Sequence, residues 1–270
     1  VGFPLARVVG VICLATGALI DAAMGPHAGK GSSELGLLRQ LSTAFSPGDV
    51  MLADALYCNY FLIATLIAGG VDVLFEQNGA RITDFRRGES LGARDHLMHW
   101  PKPRSRPHWM TAQQYEEFAA EFTVREVQVD GQVLVTTLLD SRKVRKGELD
   151  QSYARRWHVE LDLRNIKTTL DVEVLRCQTP QMVEKELWVN LLAYNLIRLL
   201  MAQAALAANV HPRTVSFKHT VQLWTEWTCR HIDLGADTTT LFRLIAQPIV
   251  GNRPGRIEPR ARKRRPKSYP

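Results

Sequence analysis

GDVMLADALYCNYFLIATLIAGGVDVLF, residues 48–75, alternates short apolar segments with turn residues. Val50 to Ala53 is a short apolar strand that ends at Asp54. Asn59 to Ala68 is an apolar helix, stopped by Gly69-Gly70, and Val71 to Phe75 is a second buried strand. A strand, a crossover helix and a strand in so few residues imply a parallel pair with a helix on one face. Upstream, residues 7–22 divide into VVGVICLA and ALIDAAM, a hairpin of two strands, followed by the loop GPHAGKGSS. Ser33 caps a helix predicted over Glu34 to Phe45, with Leu35, Leu38, Leu41 and Phe45 at helical spacing and Pro47-Gly48 beyond its end.

Downstream the alternation stops. Residues 78–121 read as polar and irregular, with WPKPRSRPHW at 100–109. Phe122 to Asp140 reads as two strands about Asp130-Gly131, a strong hairpin signal. From Gly147 the pattern is helical to about residue 246. The expectation is an α/β protein: a core over 1–77, a β-rich insertion over 78–140, a helical part over 141–246 and a tail over 247–270. No internal repeat is present.

Of the 270 residues, 46% are hydrophobic and 23% charged, which excludes disordered, collagen-like and low-complexity chains. The net charge is +7. Residues 253–270 alone carry eight Arg and Lys against Glu258, so the tail holds the whole excess and the folded body is neutral on balance. Such a tail binds polyanions or is simply solvated. Cys13, Cys58, Cys177 and Cys229 form no C-x-x-C pair, which points away from a disulfide scaffold or zinc and towards a reducing cytosol. Val8 to Ile20 imitates a signal-peptide core but is broken by Gly17. Leu187 to Val210 is long and apolar but carries Asn190, Asn195, Arg198 and Gln203, so a core helix is expected rather than a membrane span.

The chemistry-bearing segment is YARRWHVELDLRNIK, residues 153–167. On an ideal helix, at about 100° per residue, Tyr153, Arg156, Glu160 and Lys167 fall in one narrow stripe. Val159, Leu163, Ile166 and Leu170 fall opposite and would pack on a core. One reading is a solvated face with i,i+4 pairs Arg156/Glu160 and Glu160/Arg164, each worth about 0.2–0.5 kcal/mol. The other is a face presented to a ligand. His158 reads as an ordinary helix residue. Trp100 and Trp109 lie among Lys102, Arg104 and Arg106, a setting for stacking on an unpaired base or for packing under a loop.

The spacing Y-x2-R-x3-E-x6-K at Tyr153, Arg156, Glu160 and Lys167 resembles the signature of the insertion-sequence family 4 transposases of the DDE group. LVTTLLD (134–140), ELDLRNIKTTL (160–170), LRCQTPQMVEKELW (175–188), LLAYNLIRLLM (191–201) and the 48–75 stretch look like the same family, so the resemblance covers most of residues 1–245. It implies a ribonuclease-H-like core in which carboxylates at a sheet edge hold two Mg²⁺ ions, replaceable by Mn²⁺, for in-line attack on a phosphodiester. Asp54 matches the second aspartate and Glu160 the third carboxylate, so these two are the expected catalytic and metal-binding residues. Arg156 and Lys167, with Tyr153, would grip the transposon-end strand. Where the family often has Asp-Arg, Ala55 follows Asp54, which removes a phosphate contact and no metal ligand.

The resemblance also implies double-stranded DNA as partner, a homodimer on paired ends, and a bacterial cytoplasmic, nucleoid-associated location with no membrane. The family's first aspartate sits in an Asp-Gly-Thr-like motif on a strand ahead of the hairpin. No such motif is present, GFPLARVVG at 2–10 looks like the segment after it, and the first residue is valine, so the expectation is an N-terminally incomplete transposase. Asp21, at the end of the second hairpin strand, is the only substitute, and capping a turn is its simpler role. Two functions are implied: an intact or decayed transposase, or an inactive DNA-binding fragment that pairs with or regulates a full-length one. An unrelated α/β protein with a basic tail stands as the third.

Overall fold

The computed structural model describes residues 5–29, 32–230 and 238–247. The basic tail and its polyanion reading lie outside them. The chain divides into two compact units, residues 1–195 and 196–270.

The first unit opens with an antiparallel hairpin, β1 (Ala6–Ile12) and β2 (Leu19–Pro26). It forms a two-stranded sheet of its own. Helix α1 (Glu34–Leu38) starts at Ser33, whose side chain accepts the Gly36 N–H. The predicted helix to Phe45 is only half right. After Leu38 the chain tightens into a 3₁₀ turn over Arg39–Ala44, with Leu41 off helical geometry at φ −100° and ψ 18°. Ser46 precedes Pro47, which disfavours helical backbone there.

β3 (Val50–Ala53), α2 (Tyr60–Ala68) and β4 (Asp72–Glu76) agree closely with the sequence reading. Asn59 accepts the Leu62 N–H and caps α2, and Gly70 at φ 71° turns the chain into β4. β3 and β4 pair in parallel, Val50 with Asp72 through Ala53 with Phe75. They belong to a six-stranded sheet ordered β3-β4-β8-β7-β6-β5, so β3 forms one edge.

The stretch expected to be irregular contains three regular elements. It holds β5 (Glu89–Gly92), β6 (Asp95–Pro101) and α3 (Ala112–Glu117). β6 carries two polar residues, Asp95 and His96, that are nevertheless buried, at 6% and 1% exposure. β7 (Glu121–Val129) supplies their partners. Arg125 bonds Asp95 through two nitrogens at 2.8 and 2.7 Å, and Glu126 pairs with His96 Nε2 at 3.0 Å. Asp130 and Gly131, both at positive φ, close the two-residue turn to β8 (Gln132–Thr136). The β-rich segment therefore continues the β3–β4 sheet rather than standing apart from it.

Alternate residues of β4 face opposite ways. Val73 and Phe75 pack under α2 with Ala53, Phe61, Ile63 and Leu66. Leu74 packs on the other side with Val127, Val129, Leu134, Leu149 and Tyr153, and Leu52 of β3 joins it. That second face is covered by α4 (Lys146–Ala154). After a 3₁₀ turn and α5 (His158–Arg164), a π turn leads towards α6 (Pro180–Ala207). α6 is long and apolar enough to cross a membrane. It is a core helix on one side only. Leu187, Leu191 and Tyr194 are buried, whereas Trp188, Val189 and Leu192 are exposed. Asn195 holds both backbone groups of Leu19, and Tyr194 donates to Gly17 O at 2.6 Å, which fixes α6 on the hairpin. The second unit contains the end of α6 with α7 (Phe217–Arg230) and α8 (Thr238–Ala246). Arg198, 4% exposed, lies 5.0 Å from the Phe217 ring.

Candidate active site

Asp54 directly follows β3. Its Oδ1 accepts the Leu56 N–H at 3.0 Å, an Asx turn that aims the exposed carboxylate. Asn78 donates to Ala55 O at 3.3 Å and holds the same turn from the end of β4. Beside it, burial pushes the Tyr57 phenol up to about 12, helped by the negative charges of Glu34 and Asp54. One carboxylate bond leaves most of the lone pairs of Asp54 available, so the residue suits a hard cation.

The helix opposite is placed from the sheet upward. Arg125 donates to Val144 O at 2.7 Å and Lys146 to Ala93 O at 3.0 Å, which tie the start of α4 to the buried ion pair and to the β5–β6 turn. Glu148 accepts the Arg145 N–H at 2.7 Å, closing the first turn. Leu149 and Tyr153, one turn apart, are buried at 1% and 5%. Tyr153 is thus sealed against the sheet rather than lying on an open stripe. Its hydroxyl reaches Glu76 Oε2 at 3.4 Å. Burial raises its phenol to about 12, against the lowering charge of Arg156 and with the raising charge of Glu76.

The stripe fails because the segment is not one helix. The 3₁₀ turn Arg155–Trp157 advances about 120° per residue instead of about 100°. Three such residues rotate α5 by about 60° relative to Tyr153. Arg156 and Glu160 are half-buried, Lys167 is exposed, and Leu163, expected in the core, is 42% exposed. Asp162 is buried instead, as is Ile166. Lys167 sits on the π turn Asn165–Thr169, a helix irregularity frequent at functional sites. Arg156 lies 5.4 Å from the Tyr153 ring, and its Nε is buried without a hydrogen-bond partner among the described residues. An unpaired buried donor costs about 1–3 kcal/mol and is relieved by an incoming acceptor such as a phosphate oxygen.

Other sequence candidates fall elsewhere. Asp21 is the third residue of β2, opposite Val11, not at the strand's end. It accepts the neighbouring Ala22 N–H at 2.8 Å and belongs to the hairpin sheet, not to that of Asp54. Trp100 is 2% exposed, donates to Glu126 Oε1 at 2.8 Å and lies under the Arg81 guanidinium at 3.7 Å, so the packing reading holds. Trp109 stays partly exposed, with Arg39 3.9 Å from its ring. Among the described residues no three of His, Cys, Asp or Glu come together as a metal-binding group. Glu76, Arg125 and the His96–Glu126 pair escaped the sequence reading. Only the position of Glu76 at the end of a buried strand could have drawn attention to it.

A carboxylate thus ends β3, and the segment that carries Tyr153, Arg156, Glu160 and Lys167 begins on the same sheet. Residues 3–196 match the family described as Transposase DDE domain, and the chain belongs to that family. Its core is accordingly ribonuclease-H-like, and DDE transposase domains use divalent metal ions. The transposase InsG for insertion sequence element IS4 of Escherichia coli (strain K12) is similar, at 31% identity over 72% of this chain. The chain spans 45% of the length of that relative.

Proposed function

We propose that this chain acts in DNA transposition as catalytic-core material of an insertion-sequence transposase, binding element ends and serving Mg²⁺-dependent cleavage and transfer of phosphodiester strands. The observation that carries this reading is strand parity. Leu52 and Leu74 lie on the face covered by α4. By the same alternation, Asp54 and Glu76 continue that face at the strand ends, and Tyr153 bonds Glu76 there. The signature segment thereby starts on the side of the sheet to which Asp54 belongs. Asp54 and Glu160 would hold the metal, with Mn²⁺ able to replace Mg²⁺; bound there, it would polarise a phosphoryl oxygen and activate an attacking water or 3′-hydroxyl. Arg156 and Lys167 take phosphate oxygens, and the orphaned Arg156 Nε supports this role. Tyr153 sets the register of that grip from beneath. The site of action is the bacterial cytoplasm, at the nucleoid. The exposed Trp188, Val189 and Leu192 of α6 favour self-association on paired ends.

A second reading needs no metal and rests on the orphaned Arg156 Nε, a donor for a phosphate oxygen in its own right. On this reading the chain grips element ends without cutting them, and pairs with or regulates a complete transposase. Purified chain, Mg²⁺ and a duplex carrying the inverted repeat that flanks its gene separate the two. Robust strand cleavage establishes the first reading. Specific binding without cleavage, lost in Arg156→Ala and Lys167→Ala, establishes the second. Binding that depends on the tail alone and collapses uniformly with salt contradicts both.

A further inference from the structure

Glu76 is a carboxylate that contacts the signature segment, through Tyr153, and that the family pattern did not single out. It ends β4, one residue beyond the last ladder pair Ala53–Phe75, and so stands level with Asp54 on the neighbouring strand. It faces the α4 side of the sheet, as Leu74 does two residues earlier. The Tyr153 ring is locked among Leu74, Val127, Leu134 and Leu149, so its hydroxyl has little freedom to seek another partner. That hydroxyl lies 3.4 Å from Glu76 Oε2, and the Arg156 guanidinium lies 5.4 Å from the same ring.

We propose that Glu76 is a positioning residue: it fixes the Tyr153 hydroxyl, and through that ring the Arg156 guanidinium, relative to the strand end that carries Asp54. The proposal rests on the DNA-binding reading above for its purpose, but not for its geometry. Glu76 accepts a hydrogen bond from the phenol and supplies negative charge beside it, while Arg156 supplies positive charge to the same ring. Without Glu76 the ring remains buried, but Arg156 loses its fixed setting and the segment begins at the sheet with one tether fewer.

Two measurements on the full chain test this separately. The first uses no DNA. With ζ-carbon-labelled tyrosine, the Tyr153 resonance is assigned by its loss in Tyr153→Phe and tracked through alkaline pH. In Glu76→Ala and Glu76→Gln the phenol ionises at lower pH than its value of about 12 in the parent chain, because a neighbouring negative charge is gone. An unchanged resonance and titration overturn the positioning role. The second is a double-mutant cycle in affinity for a fluorescein-labelled 30-base-pair duplex, with Ca²⁺ present to prevent cutting. Glu76→Ala weakens binding by about tenfold, the scale of one charge-assisted hydrogen bond. Glu76→Gln, which keeps an acceptor, recovers most of the loss, and Glu76→Ala adds nothing further to Arg156→Ala. Fully additive losses overturn the proposal. If Arg156→Ala itself leaves affinity intact, the DNA-binding reading fails while the resonance still decides whether Glu76 holds Tyr153. Glu76→Gln, close in shape, guards against a misfolded alanine variant, and unchanged circular dichroism confirms that it is folded.

Discussion

Arg125→Met is the substitution with the largest effect that the structure makes calculable. The Arg125 side chain is wholly buried, bonds both oxygens of Asp95, and donates a third bond to Val144 O. Methionine fills similar volume but leaves the Asp95 carboxylate, 7% exposed, without its partner. Breaking a buried pair from one side costs about 3–5 kcal/mol, because the remaining charge cannot regain its hydration. The bared Val144 carbonyl adds about 1 kcal/mol or more. With a urea dependence of about 3 kcal/mol per molar, the unfolding midpoint falls by more than about 1 M. Removing both charges differs in kind, since a buried pair replaced by apolar residues is often neutral. Arg125→Met with Asp95→Leu therefore regains at least about 2 kcal/mol over Arg125→Met alone. Urea unfolding monitored by circular dichroism measures all three variants. A single-variant loss below about 1 kcal/mol, or a double variant no more stable than the single, refutes the reasoning.

Gly88→Ala is expected to destabilise by more than about 1 kcal/mol, because φ is +75° and a Cβ there would clash with Leu97 O; thermal unfolding checks it. Tyr57 and Tyr153 keep their protons in the fold up to about 12, whereas an unfolded tyrosine ionises near 10. The unfolded chain thus sheds protons first, and stability falls as pH rises from about 10 towards 12. Urea midpoints across that window, blunted in Tyr57→Phe, test this. The Arg176 and Cys177 N–H groups hold the Glu186 carboxylate below its ordinary value of 4.5. This tether of the α5–α6 connection is complete above that pH and is released as pH falls through the lowered folded value. Amide resonances of Arg176 and Cys177 should move on acidification, and should already be shifted at neutral pH in Glu186→Ala.

The parts of the fold legible in the sequence are those where a local rule acts alone. Ser33 as cap, Gly69-Gly70 as stop and Asp130-Gly131 as turn each read correctly, because cap and turn chemistry needs no distant partner. β6 was missed because its polar residues are buried only by virtue of Arg125 and Glu126, about 30 positions away. Periodicity has no means of pairing Asp95 and His96 with residues so far along the chain. The single helix across 153–167 is an ideal-geometry reading; 3₁₀ and π turns break it between the buried Tyr153 and Thr169, which ideal spacing does not foresee. The residue types of the site were visible from the signature. Tyr153 facing Glu76 was not, since that contact joins a sheet strand to a helix 77 residues later.

The central claim is that Asp54 and Glu160 share one divalent cation. The direct measurement is the anomalous scattering of Mn²⁺ soaked into crystals of the chain bound to duplex DNA. A peak is expected about 2.1 Å from carboxylate oxygens of both residues. A peak elsewhere, or two carboxylates too far apart for one ion to bridge, contradicts it.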